Sequence, residues 1–349
     1  NGTNSLNGTA FWYFRNESLV ADDPFGRPPT DFRQHQFGFS VGGPIVRDKT
    51  HFFGAYDQQI RSNPLIVEFS GADKTAAGVP GFAGKAVTAT QTNDIWTFFG
   101  RLDHQFTQTQ STWLRYNWSK NEGENGLGSS PTNFATEASS FEKDSTNTFV
   151  GALNSLLGST KLNEARFQFG REDRPREPNT TAVTMTVTGL GTIGRSTSLP
   201  SLETDDRYQF VDNFTWLAGA HSVRAGTDIN LLHIQQPFFL SRSGGEYRFR
   251  SVADYVATVN TGAQLYQDFR QGFGRTDVDF WVKMFAFYVQ DSWNVTRSLS
   301  VNYGLRYEGQ INPQPDAPNP ALPESSQIPS DKNNWTPRAG FAWDPWGDG

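Results

Sequence analysis

Between Ser298 and Glu308 the chain reads SLSVNYGLRYE. Its odd positions (Leu299, Val301, Tyr303, Leu305, Tyr307) are apolar, and its even positions (Ser298, Ser300, Asn302, Gly304, Arg306, Glu308) are small, polar or charged. Successive side chains of an extended strand point to opposite faces, so a period of two describes a strand lying between an apolar medium and a polar one. Just upstream, FWVKMFAFYVQDSW (Phe280 to Trp293) is aromatic and β-branched, and NVTR joins the two as a tight turn. The unit recurs four times. Gln36 to Gly43 turns through PIVRDK into His51 to Ile60, and Ile95 to Phe106 turns at TQTQ into Ser111 to Lys120. Thr146 to Leu157 turns at GSTK into Leu162 to Gly170, and Arg207 to Trp216 turns at LAGA into His221 to His233.

Long polar stretches rich in Gly, Pro, Ser, Thr, Asn and Asp separate these hairpins: Asn121 to Asp144, Arg171 to Asp206, Gln235 to Asp279 and Ile311 to Asn334. Compact soluble domains rarely carry several structureless connections beyond about 12–15 residues. Short turns alternating with long loops are the pattern of an outer-membrane barrel. Strand length agrees: the candidates run roughly 9–13 residues, against about 9–11 for a tilted membrane-crossing strand and a mode near 5–6 in globular sheets. The expected fold is therefore all-β, an antiparallel transmembrane β-barrel in part, with about a dozen long strands by the same rules. Trp118, Trp216 and Trp293 sit near strand ends, where an aromatic girdle meets headgroups. Asp212 and Asp291 break the pattern by sharing a side with Phe214 and Trp293. Their nearness to turns places them at headgroup level.

At these residues the chain resembles a known family. FAFYVQDSWNVTRSLSVNYGLRYE is similar to a barrel hairpin of TonB-dependent outer-membrane receptors, and NGTNSLNGTAFWYFRN looks like the passage from plug to first barrel strand. FRQHQFGFSVGGPIVRDKTHFFGAYD and TVTGLGTIG with YQFVDNFTWLAGAHSVRAGTDIN resemble the Oar-like subgroup. The resemblance implies a plug inside a barrel of about twenty-two strands, energised by the inner-membrane TonB complex, in a bacterial outer membrane. It implies active uptake of a large or scarce solute. The chain opens without an initiator Met or signal peptide and shows neither TonB box nor plug. Residues 1–349 are accordingly expected to be the N-terminal half of a receptor barrel whose partners are outer-membrane lipid, its own plug, the TonB complex and an extracellular ligand. The alternatives are a passive porin-like barrel and a secreted all-β adhesin, glycan-binding protein or glycan-active enzyme.

Other function classes find little support. The net charge is −6 with scattered Lys and Arg, which offers no basic stripe for nucleic acid. Cysteine is absent, excluding disulfides and thiol chemistry, and no run of about 18 apolar residues exists for a spanning helix. GLGTIG (Gly189 to Gly194) fits G-x-G-x-x-G, but RSTSLPSLE follows it without helical period, so it is expected to be a loop needing glycine rather than a nucleotide cradle. His35, His51, His104, His221 and His233 show no metal-ligand spacing. No catalytic residue, metal or cofactor is expected.

Two residue sets are candidates for function. The polar lists of the strands carry Arg101, Asp103, Arg115, Arg166, Arg224, Asp228, Arg306 and Glu308, charges that a soluble core would bury at several kcal/mol each and that a barrel lumen would keep against water or a plug. The stretch Gln235 to Asp279 carries Phe238, Phe239, Tyr247, Phe249, Tyr255 and Tyr266 among polar spacers. Exposed rings beside donors suit stacking on sugars or apolar solutes, which makes them candidate ligand contacts; packing among themselves to hold the loop folded is the competing expectation.

Overall fold

Each of the five short turns closes an antiparallel hairpin. In the computed structural model, which describes residues 3–22, 32–126 and 133–346, they join β2 (Arg33–Val46) to β3 (Thr50–Ile66), following β1 (Asn7–Asn16). They also join β4 (Thr88–Thr107) to β5 (Gln110–Gly126) and β6 (Ser140–Leu157) to β7 (Lys161–Asp173). Beyond the short β8 (Arg176–Pro178), β9 (Thr184–Val187) and β10 (Gly191–Ile193) come β11 (Ser201–Ala218) and β12 (His221–Phe239), the fourth pair. After β13 (Glu246–Phe249), the helix α1 (Val252–Thr261) and β14 (Asp268–Arg270), the fifth pair is β15 (Val278–Asn294) and β16 (Leu299–Ile311), followed by β17 (Asn334–Trp343). Asp48, Gly158 and Gly219 take left-handed backbone at φ of 60°, 74° and 63°, the conformation that tight hairpin turns demand.

Twelve strands form one antiparallel sheet in the order β1-β2-β3-β4-β5-β6-β7-β11-β12-β15-β16-β17, with β8 hung on β6 and β11. Its open edges are β1 and β17. The strands are longer than the apolar alternation indicates. β4 has 20 residues, β12 has 19 and β6 and β11 have 18, so β4 extends about 65 Å at 3.3 Å per residue. This exceeds the apolar band of roughly 25 Å even with tilt. The ladders therefore continue beyond it on the long-connection side, through segments such as TATQTND (Thr88 to Asp94) that are polar on both faces. Backbone pairing needs no apolar face, and so the polar stretches delimited by composition overstate the connections.

Those connections are not structureless. A second sheet, β10-β9-β13-β14, has β13 parallel to β9 and its other pairs antiparallel. Its apolar face closes a core of Val67, Phe69, Ala76, Phe82, Ala135, Val187, Leu190, Ile193, Phe249 and Tyr255. These residues come from four separate connections: 67–87, the described part of that between β5 and β6, the β7–β11 passage and the β12–β15 passage. Backbone bonds knit them together: Ser70 N–H donates to Leu190 O at 2.8 Å, Asn133 N–H to Glu68 O at 2.8 Å, and Thr188 N–H to Phe249 O at 3.0 Å. Residues 67–87 lack the period of two, which is why nothing in the strand pattern marks them. We refer to this unit as the cap.

GLGTIG runs from the β9–β10 turn through β10; Gly189 supplies left-handed backbone at φ of 79°, and the other two glycines are there for space. Gly194 has φ of 82°, and a Cβ there would lie 2.2 Å from Val183 O. At Gly191 it would meet Asn133 O at 2.5 Å and Phe69 Cδ1 at 2.8 Å. The helix α1 departs from the all-strand expectation, and local signals account for it. Ser251 is its N-cap, its Oγ accepting the Asp254 N–H at 3.1 Å, and Gly262 ends it at φ of 72°. Ser251→Ala is expected to cost the cap about 1 kcal/mol. Faster amide exchange at Asp254 than in the parent protein would report it.

Candidate functional site

Strand registers assign faces without ambiguity, because partners in one row share a side. One row runs Asp103, Trp113, Ala152, Arg166, Val211, Asp228, Ala286, Glu308 from β4 to β16. Two residues along lies the row beginning Arg101 and Arg115. On the other side of the first row, Arg306 pairs with Tyr288, and Arg224 lies in a row with Gln290, Gly304 and Arg338. All eight charged candidates therefore share one face of the sheet.

Their environments differ. Arg101 makes a two-pronged bond to Asp103, Nε at 2.9 Å and Nη2 at 2.7 Å, and lies 4.7 Å from the Trp113 ring centre. Arg115 stands directly across from Arg101 and 6.0 Å from the same ring, with its Nε buried and unbonded. Gln209 Nε2 donates to both Asp228 oxygens at 2.9 and 3.1 Å, and Arg306 Nε donates to Glu308 at 2.5 Å. Among the described residues, no ion pair involves Arg115, Arg166 or Arg224.

The opposite face is apolar. Leu114, Phe149, Phe167, Phe210, Val289 and Leu305 are each 40–50% exposed on it. Exposed apolar side chains of this kind in a continuous belt describe a lipid-facing surface. Tryptophans bracket the belt: Trp216, Trp293 and Trp343 stand at the short-turn end, and Trp96, Trp118 and Trp281 stand further along on the same face. The two irregular aspartates are also here, and both are bonded. Asp291 accepts from Tyr303 Oη at 2.8 Å and lies 2.6 Å from His221 Nδ1, whose ring stacks on Trp293. Asp212 accepts from Asn163 Nδ2 at 2.9 Å. Bonds of this kind at the edge of the belt offset part of the cost of a charge near hydrocarbon, although Asp291 Oδ1 is buried without a partner.

The six aromatic ligand candidates divide. Phe249 and Tyr255 are 3% and 2% exposed and sit inside the cap core, so they form no open stacking platform. Tyr255 packs edge-on against Phe82 and Phe249, and its hydroxyl donates to Pro80 O at 2.8 Å. Burial pushes that phenol's pKa up. Tyr247 and Tyr266 pack against the core and against each other, ring centres 5.1 Å apart. Phe238 belongs to β12 and is half-buried; the backbone of Phe239 pairs with Ser201 in that ladder. The reason is area: Phe69 and Phe82 from residues 67–87 give these rings an apolar partner that Gln235 to Asp279 alone lacks. Phe269 and Phe273, outside the six, are the exposed rings of that passage, at 43% and 79%. No cluster of metal-ligating side chains is present among the described residues.

Comparison with known proteins agrees with this geometry. Over 186 residues, 49% of this chain and 16% of the relative, the chain is 28% identical to the TonB-dependent transporter Oar of Myxococcus xanthus. Among solved structures, the outer membrane transporter YddB of Escherichia coli superposes with a TM-score of 0.63 at 11% identity, covering all of this chain and 42% of that one. The siderophore receptor PirA of Acinetobacter baumannii gives 0.55 at 14% identity, covering 99% and 42%. The chain thus spans about two fifths of the length of these solved proteins. Residues 1–70 and 71–348 match the outer membrane beta barrel domain. The chain belongs to that family, and its twelve-stranded sheet is a stretch of barrel wall in the bacterial outer membrane.

Proposed function

We propose that this wall is the N-terminal half of a TonB-dependent receptor barrel that takes up a large or scarce solute, with the cap outside the cell and the short turns in the periplasm. The observation that carries it is the cap. Four long connections from one end of the wall fold onto one core, an arrangement suited to controlled entry rather than to an open pore. Similarity to the Myxococcus transporter supports the same class. In this reading the remaining strands close the barrel against β1 and β17, a plug fills the lumen beside the eight charged residues, and the TonB complex supplies energy. The exposed Phe269 and Phe273 with half-buried Phe238 replace the buried pair as ligand contacts. The chain itself does no covalent chemistry.

The full receptor in planar bilayers should show no steady open-pore conductance, because the lumen is filled. In vesicles, a spin label at Val289→Cys should relax with a lipid-soluble agent and one at Asn302→Cys should not; the chain has no cysteine of its own to interfere. A steady conductance would assign a passive pore. A silent label at 289 would remove the wall from the membrane.

A further inference from the structure

A recess of about 480 Å³ lies on the polar face where β12, β15, β16 and β17 meet. We propose that it binds an oxyanion, a carboxylate or phosphate group of the solute, as a station on the lumen wall; this rests on the uptake function above.

Three arginines line the recess: Arg224, Arg306 and Arg338. Arg224 and Arg338 occupy one register row, three strand spacings apart, which is about 14 Å between backbones. Both line the one recess above the two strands between them. Neither takes part in an ion pair among the described residues, and Arg306 spends only Nε on Glu308. The other polar groups also offer donors. Asn302 accepts Ser292 Oγ through its carbonyl at 2.6 Å, which leaves its amide N–H groups free, and Gln290 stands between the arginines in their row. The one carboxylate on the boundary, Asp291, belongs to the opposite face, where its Oδ2 is engaged by His221 and Tyr303 and its Oδ1 is buried without a partner.

Glycines make the room. Tyr288 lies against Gly226, where a Cβ would come within 2.5 Å of the ring, and its hydroxyl is fixed by a bond to Asn213 Oδ1 at 2.7 Å. Gly304 lets Gln290 approach so closely that a Cβ would meet it at 2.8 Å, and beside Gly340 a Cβ would meet nothing within 4 Å. The result is a volume within the range of small-molecule sites, walled by three guanidinium groups of which two, on Arg224 and Arg338, take part in no ion pair among the described residues. Planar guanidinium donors match oxyanions in charge and geometry. The size also separates this site from a broad protein contact, which would not need a recess.

The test uses the full receptor in detergent and titration calorimetry with two probes, inorganic pyrophosphate and succinate. At least one should bind at a single saturable site. Arg224→Gln with Arg338→Gln should weaken binding tenfold or more, and Gly340→Leu, which fills the recess without altering charge, should do the same. Arg297→Gln removes a single charge from the exposed β15–β16 turn and should change affinity less than twofold, whereas Arg224→Gln or Arg338→Gln alone should each change it more. Retained heat-modifiable migration would show the barrel intact in each variant, so a failure here is separable from failure of the receptor assignment. Absence of saturable binding in the parent, or binding indifferent to both recess variants, overturns the proposal. A parent that binds neither probe while the arginine variants lower its thermal stability would instead place a carboxylate of the receptor itself in the recess, and that too overturns it.

Discussion

Tyr255→Ala is expected to open the whole cap, not only its helix. The ring is 2% exposed and lies edge-on between Phe82 and Phe249, while its hydroxyl holds Pro80 O. Truncating a buried aromatic costs about 3–5 kcal/mol, and the loss of the hydroxyl leaves Pro80 O without this donor. A cap with ten fully buried core residues among the described ones has little stability in reserve. Hydrogen exchange should show the amides of Ser70, Asn133, Thr188 and Thr192, drawn from three connections, losing protection together. The ladder between β5 and β6 should keep its protection. Loss confined to residues 252–261 would mean that the connections fold separately.

Leu305→Arg should destabilise the wall by about 2–4 kcal/mol if the residue lies near mid-bilayer, whereas Asn302→Arg should cost little. Leu305 is 40% exposed beside Val289 on the apolar belt, six residues beyond the start of β16. An arginine there must leave the hydrocarbon by snorkelling or hold it open to water. Asn302 is on the charged face. Its side chain joins only Ser292, so an arginine there loses one bond and faces Arg224, Arg306 and Arg338, a screened repulsion that is small beside transfer into hydrocarbon. Urea titration of the full receptor into and out of vesicles measures both. Equal costs would mean that the two faces meet the same medium.

The wall was legible because lipid and water impose opposite demands on alternate residues. SLSVNYGLRYE and its partner declare strand, face and register together, and the turns NVTR, GSTK and LAGA fall where the hairpins close. The eight charges could be assigned to one face for the same reason. The cap was not legible, since its core is assembled from pieces too short to show a period. Phe69 and Phe82 look like isolated rings in a glycine-rich segment, and only the meeting of four connections makes them interior. The same limit leaves Phe249 and Tyr255 open in sequence between ligand contact and packing within the loop. A sequence displays a ring's neighbours along the chain, and Tyr255 finds its partner Pro80 175 positions away. The helix had a readable start at Ser251 and stop at Gly262, but composition drew attention to the rings between and beyond them.

That separation governs when the cap can form. Closing a loop of 175 residues in a free chain carries a large entropic cost, and short contacts offer little to offset it before the ends meet. The strands from β3 to β15 remove most of that cost by pairing in sequence, each hairpin carrying the next connection to the same rim. The cap is thus a product of finished assembly. Its core records that the strands beneath it have zipped in the correct order, and a single misregistered hairpin would leave Tyr255 without its socket.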